Sequence, residues 1–109
     1  MLKVTFTETP EKLSLRLEGH AGYAETGKDI VCASASILAY TLANIVDNAS
    51  MIYVGVKVVI NLESGNTTIE CECKDAETYA SLADSYHHTK LGYELLSYKY
   101  PQYVRLIES

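Results

Sequence analysis

The 109-residue chain predicts a two-layer α+β domain of order ββαββα, a mostly antiparallel sheet carrying two helices on one face. Three observations predict it. Two pairs of short segments alternate apolar with polar residues or are rich in β-branched ones, each pair flanks a turn sequence, and two long stretches place apolar residues at helical spacing. No linker, repeat or low-complexity tract interrupts the order, so residues 1–109 are expected to form a single domain.

Leu2 to Thr7 and Leu13 to Glu18 alternate strictly, and Pro10 lies in the turn between them, which predicts an antiparallel hairpin. Residues 29 to 48 then carry Ile30, Ile37, Leu38, Leu42, Ile45 and Val46 at helical spacing behind Asp29, a natural N-cap. On this wheel the apolar stripe centres on Ile30, Leu38, Leu42 and Ile45, and Cys32 falls to its flank with Ser36, Ala39 and Ala43. Met51 to Leu62 is rich in β-branched residues and reads as a strand. Glu63-Ser64-Gly65-Asn66 supplies a turn, and Thr67 to Cys73 alternates again as a second hairpin. From Asp75 to Tyr100 the pattern is helical, with Tyr79, Leu82, Ala83, Tyr86, Tyr93 and Leu96 on one face; Gly92 loosens it and Pro101 ends it. Tyr103 to Ile107 can add a last strand.

A hydrophobic share of 48% and a charged share of 21% are those of a folded globular chain. The net charge of -5, with nine scattered Lys and Arg, argues against nucleic-acid binding. No segment is read as approaching the roughly 20 apolar residues of a membrane helix, and the N-terminus reads as a strand rather than a signal peptide, so the expected location is the cytoplasm with no membrane partner. Three cysteines, two of them on one strand, do not suggest a disulfide framework. Cys71 and Cys73 share the inward face with Ile69 and read as core. His87 and His88 diverge on their helix, and no zinc spacing occurs, so neither metal nor cofactor is expected.

The stretch Gly19-His20-Ala21-Gly22-Tyr23-Ala24-Glu25-Thr26-Gly27-Lys28-Asp29-Ile30-Val31-Cys32 sets a histidine and a cysteine on either side of a glycine-rich loop. His20 ends a strand and Cys32 lies in the first turn of a helix, so the loop can fold back and join them. The helix dipole, unpaired first-turn N–H groups and an imidazole all favour a thiolate, and the same N–H groups could serve an oxyanion. The residues alone leave alternatives open. Cys32 is a nucleophile or a small core hydrophobe, and His20 is its base or a structural histidine. Asp29 is the helix cap or the group that orients His20. Gly19, Gly22 and Gly27 are turn residues or the hinges of a substrate loop, and Ser36 is a surface polar residue or a hydrogen-bond donor behind the site.

The Gly19-His20-Ala21 triplet followed by G-x-D-I-V-C-A-S-x-S over Gly27 to Ser36 resembles the signature of the ribosomal-processing cysteine proteases called Prp. The ββαββ order and the closing Tyr100-Pro101-Gln102-Tyr103-Val104 extend the resemblance over nearly the whole chain. The resemblance implies that Cys32 is the nucleophile and His20 the general base and acid of a dyad, with Gly19, Asp29 and Ser36 supporting the site. It further implies a homodimer, a loop that orders over substrate, and removal of a short N-terminal extension from bacterial large-ribosomal-subunit protein twenty-seven. The competing reading is a non-catalytic homodimeric module that binds a peptide or the ribosome.

Overall fold

The computed structural model describes residues 1–25 and 27–108; Thr26, within the glycine-rich loop, and Ser109 lie outside the described residues. The elements run β1 (Leu2–Glu8), β2 (Lys12–Glu18), α1 (Ile30–Ile52), β3 (Lys57–Glu63), β4 (Asn66–Glu72), α2 (Ala76–Lys99) and β5 (Val104–Glu108). The five strands form one sheet in the order β3-β4-β2-β1-β5. All pairings are antiparallel except β1 with β5. The expected α+β architecture is therefore present, with the C-terminal tail completing the sheet beside β1.

Alternation sets the two faces. Val4 pairs with Leu17, Phe6 with Leu15, and Leu15 in turn with Ile69, so one face of the sheet is apolar and buried. Lys3, Thr5, Arg16 and Glu70 occupy the other face. Cys71 and Cys73 are buried on the apolar side, as their parity with Ile69 requires.

The helix α2 turns Tyr79, Tyr86 and Tyr93 toward the sheet while Tyr98 stays exposed, and each of the three inward rings finds an acceptor for its hydroxyl. Tyr79 donates to the Thr9 carbonyl at 2.7 Å, Tyr86 to the Ser14 carbonyl at 2.8 Å, and Tyr93 to the Ala35 carbonyl on α1 at 2.7 Å. Phe6 packs edge-on against both Tyr86 and Tyr93, with ring centroids 5.8 Å apart in each case. The seven-residue tyrosine repeat is thus the inner face of a packed helix. Gly92 does not loosen α2, which runs unbroken through it; a Cβ there would lie 2.7 Å from Leu38 Cδ2, so this glycine is where α1 and α2 approach closely.

Three further expectations change. First, α1 continues to Ile52 instead of yielding to a strand at Met51, closed by the Tyr53 N–H donating to the Ala49 carbonyl. A short apolar run satisfies either period, and here the helix takes it. Second, the buried stripe of α1 is Val31, Ala35, Ala39, Leu42, Ala43, Val46 and Ala49. Ile30 and Ile37 are 53% and 61% exposed. The alanines lie where the helix sits close to its neighbours, which rotates the large residues outward and puts Cys32 roughly 50° from the centre of the buried face. Third, with 23 residues α1 is long and apolar enough to cross a membrane by length and composition; in the fold one side of it is packed into the core.

Burial holds Cys71, Tyr86 and Tyr93 in their neutral forms. Burial and then the neighbouring Cys73 push the Cys71 thiol from 9.0 up to about 11. Burial raises both tyrosine hydroxyls well beyond their usual range, helped at Tyr86 by Glu8. All three groups have raised values in the fold, so the stability they contribute is complete below their unfolded values and is lost as pH rises through the folded ones. Urea midpoints should therefore fall between about pH 8 and about pH 11. Tyr93→Phe should lose about 1 kcal/mol at the lower pH, from the missing bond to Ala35, and show a smaller alkaline drop than the parent.

Candidate active site

Strand β2 ends at Glu18, and the chain turns at Gly19 in a left-handed conformation with φ of 86°. A Cβ at Gly19 would stand 2.8 Å from the Met1 carbonyl oxygen. The Met1 carbonyl, just before the first strand, thus leaves no room for a side chain at this position. Its N–H donates to the Gly65 carbonyl in the β3–β4 turn at 2.9 Å. His20 follows with an exposed side chain, and Ala21 is buried, 2% exposed, with its N–H pointing at Cys32 Sγ at 3.4 Å.

Asp29 caps α1 and also ties down the loop before it. Its Oδ1 accepts from the N–H groups of Val31 at 3.0 Å and Cys32 at 2.9 Å. Its Oδ2 accepts from Tyr23 at 3.0 Å and Ala24 at 3.3 Å. Its backbone carbonyl takes the next N–H, that of Ala33, at 3.0 Å. Burial works against the charge, but hydrogen bonds from the backbones of Cys32, Ala24 and Tyr23 and from the Cys32 side chain outweigh it and hold the carboxyl below its ordinary value.

This arrangement bears on two of the sequence readings. Both Asp29 oxygens accept from backbone N–H groups, so in this geometry the carboxylate acts as a cap and a loop anchor. The first-turn N–H groups of Val31 and Cys32 are correspondingly not free for an oxyanion. The donor that does face the sulfur is the Ala21 N–H, contributed by the loop and invisible to helix-dipole reasoning.

Two cavities meet at Cys32 and His20. One of about 490 Å³ is walled by the loop and the start of α1, including Gly22, Gly27, Lys28 and Asp29. The other, about 290 Å³, lies toward the β3–β4 turn and includes Gly19, Tyr40, Leu62 and Gly65. Ser36 and Ser64 line both. The fold thus assembles every residue singled out from sequence, and it adds Ala21, Ser64 and Gly65. The turn sequence at Ser64-Gly65 was legible, but its approach to residues 45 positions earlier was not.

Beyond the cavity the loop is braced by aromatic rings. Tyr23 packs edge-on against Tyr100 and Tyr103, with centroids 5.4 and 5.2 Å away. Half-buried Cys32 therefore sits in a frame built from the loop, α1, the second hairpin and the C-terminal segment.

A family model described as Cysteine protease Prp matches residues 1–105. Comparison with curated proteins gives no match. Among solved structures, the essential ribosomal processing protease Prp from S. aureus with a covalently linked product peptide superposes with a TM-score of 0.78 at 22% identity, covering 100% of both chains. The same S. aureus protease with a substrate peptide gives a TM-score of 0.71 at 20% identity, again over 100% of both chains. A protein from Streptococcus mutans gives 0.69 at 25% identity, covering 99% of this chain and 93% of the other. These structural likenesses establish the shared fold, and the family match extends over all but the last residues: the chain belongs to the Prp family of cysteine proteases.

Proposed function

We propose that residues 1–109 form a single ribosomal-processing endopeptidase domain in which Cys32 is the nucleophile and His20 the general base and acid. The observation that carries this reading is the shared position of the two side chains on both cavities, with the Ala21 N–H directed at the sulfur at 3.4 Å. The S. aureus relative with its covalently linked product peptide supports it. The substrate is the N-terminal extension of large-ribosomal-subunit protein twenty-seven, and the site of action is the cytoplasm. The protein acts as a homodimer, for which the exposed apolar residues Ile37, Met51 and Ile52 of α1 offer surface. The acidic balance of the chain is consistent with contact to a ribosomal protein and not to nucleic acid.

In this mechanism the Cys32 thiolate attacks the scissile carbonyl while His20 carries the thiol proton. The tetrahedral oxyanion takes the N–H of Ala21 as its available local donor, since Asp29 occupies those of Val31 and Cys32. His20 then protonates the leaving amine, a thioester remains on Cys32, and His20 activates the water that hydrolyses it. The peptide lies across the two cavities, one on each side of the cut. Gly22 and Gly27 have open space where a side chain would stand and leave the loop free to meet the substrate backbone.

The decisive test is mass spectrometry of a peptide copying the ribosomal-protein extension, incubated with parent protein, Cys32→Ser and His20→Ala. One cut by the parent is expected, abolished in the serine variant and slowed at least about 100-fold in the alanine variant. An intact peptide with folded parent protein would favour the binding-module reading. A second experiment separates the two jobs of Asp29. Asp29→Ala should lower stability by about 1 kcal/mol through loss of the cap and should also reduce cleavage. Asp29→Asn keeps an acceptor for Val31 and Cys32 but sets an NH2 group against the N–H groups of Tyr23 and Ala24, so it should spare stability more than activity.

A further inference from the structure

A dyad needs something to aim its imidazole, and Asp29, the nearest sequence candidate, is fully engaged elsewhere. His20 has an exposed side chain at the end of a strand, so burial does not set its rotamer. What the ring does meet is the tip of the second hairpin. A Cβ built on Gly65 would stand 2.9 Å from His20 Nε2, 3.3 Å from Cε1 and 3.7 Å from Cδ2. The imidazole therefore lies over the bare Cα of Gly65, in space that any other residue would fill.

The backbone reinforces this contact. Gly65 has φ of 78°, a left-handed value that glycine adopts without strain, at the second position of the two-residue turn between Glu63 and Asn66. Its carbonyl accepts the Gly19 N–H at 2.9 Å, which fixes the chain one residue before His20. Gly19 is confined from its other side by the Met1 carbonyl. One glycine thus holds both the backbone leading into His20 and the surface on which its ring rests.

We propose that Gly65 is a positioning residue for the reaction: by lacking a side chain it seats the His20 imidazole at the junction of the two cavities beside Cys32. This rests on the reading of His20 as the base. A methyl at Gly65 displaces Nε2, the ring atom closest to it, and an imidazole moved by a fraction of an ångström no longer meets the thiol proton or the leaving amine in line.

The test is a double-mutant cycle between position 65 and His20, read by steady-state cleavage of the extension peptide, by the pH dependence of Cys32 alkylation with iodoacetamide, and by the urea midpoint. Gly65→Asn is the principal variant, because asparagine tolerates positive φ and separates the steric effect from backbone strain; Gly65→Ala accompanies it. Both should lower kcat about tenfold or more with KM changed less than about threefold, and both should shift the alkylation profile. In the His20→Ala background the same substitutions should leave the alkylation profile where His20→Ala alone puts it. Full kcat in folded Gly65→Asn would overturn the proposal, as would an equal shift of the profile in both backgrounds, while leaving the dyad standing. Parent-like cleavage by His20→Ala would overturn the dyad and this proposal together.

Discussion

Asp29 gathers four backbone N–H groups from two segments: Tyr23 and Ala24 from the loop, Val31 and Cys32 from the helix. Capping alone would need only the second pair. The first pair converts a cap into a clasp, bending the loop back over the helix start so that the Ala21 N–H reaches the sulfur. The cost is electrostatic. A carboxylate now sits at the positive end of α1, where it offsets the dipole that would otherwise favour a thiolate. In the proposed dyad the charge partner for the sulfur is His20, which makes the placement of the imidazole the sensitive part of that mechanism.

The rest of the fold supplies rigidity around this clasp. The tyrosines of α2 tie the helical layer to the first hairpin through hydroxyl-to-carbonyl bonds, and Tyr93 crosses to α1. Because Ala35 lies one turn beyond Val31 on the buried face, the Tyr93 bond also restrains the end of α1 that bears Cys32. Tyr100 and Tyr103 extend the same aromatic layer to the loop through Tyr23. The two sides of the site are thus anchored to one packed layer, while the hairpin tip at Gly65 closes the third side.

How much of this was legible without coordinates differs by element. Strands β1, β2 and β4 followed from alternation and α2 from the tyrosine repeat, because those patterns are long enough to outvote any single residue, whereas β3 starts at Lys57 because α1 takes Met51 and Ile52. For α1 the length and apolar content were legible and its rotation was not. Ile30 and Ile37 outrank alanine on any hydrophobicity scale, yet close helix packing favours the small residues, so the core took Ala35, Ala39 and Ala43. Cys32 landed on the rim of the core for a different reason from the one its wheel position suggested. Among the site residues, His20, Cys32 and Asp29 stood out by chemistry and by their resemblance to a protease signature. Gly65 looked like an ordinary turn glycine, and nothing near it in sequence marks it as the neighbour of His20.

By itself the sequence determined the element order, the alternation of β1, β2 and β4, the inward face of α2, the cap at Asp29, the core placement of Cys71 and Cys73, and the family. These are local properties, set by side-chain period and by the backbone needs of a single helix end or turn. Tertiary structure alone decided the rotation of α1, the occupation of its first-turn N–H groups, the Ala21 donor and the seat of His20 on Gly65. Each of those depends on segments brought together across the sheet or back along a loop, and local periodicity carries no information about which distant backbone will arrive there.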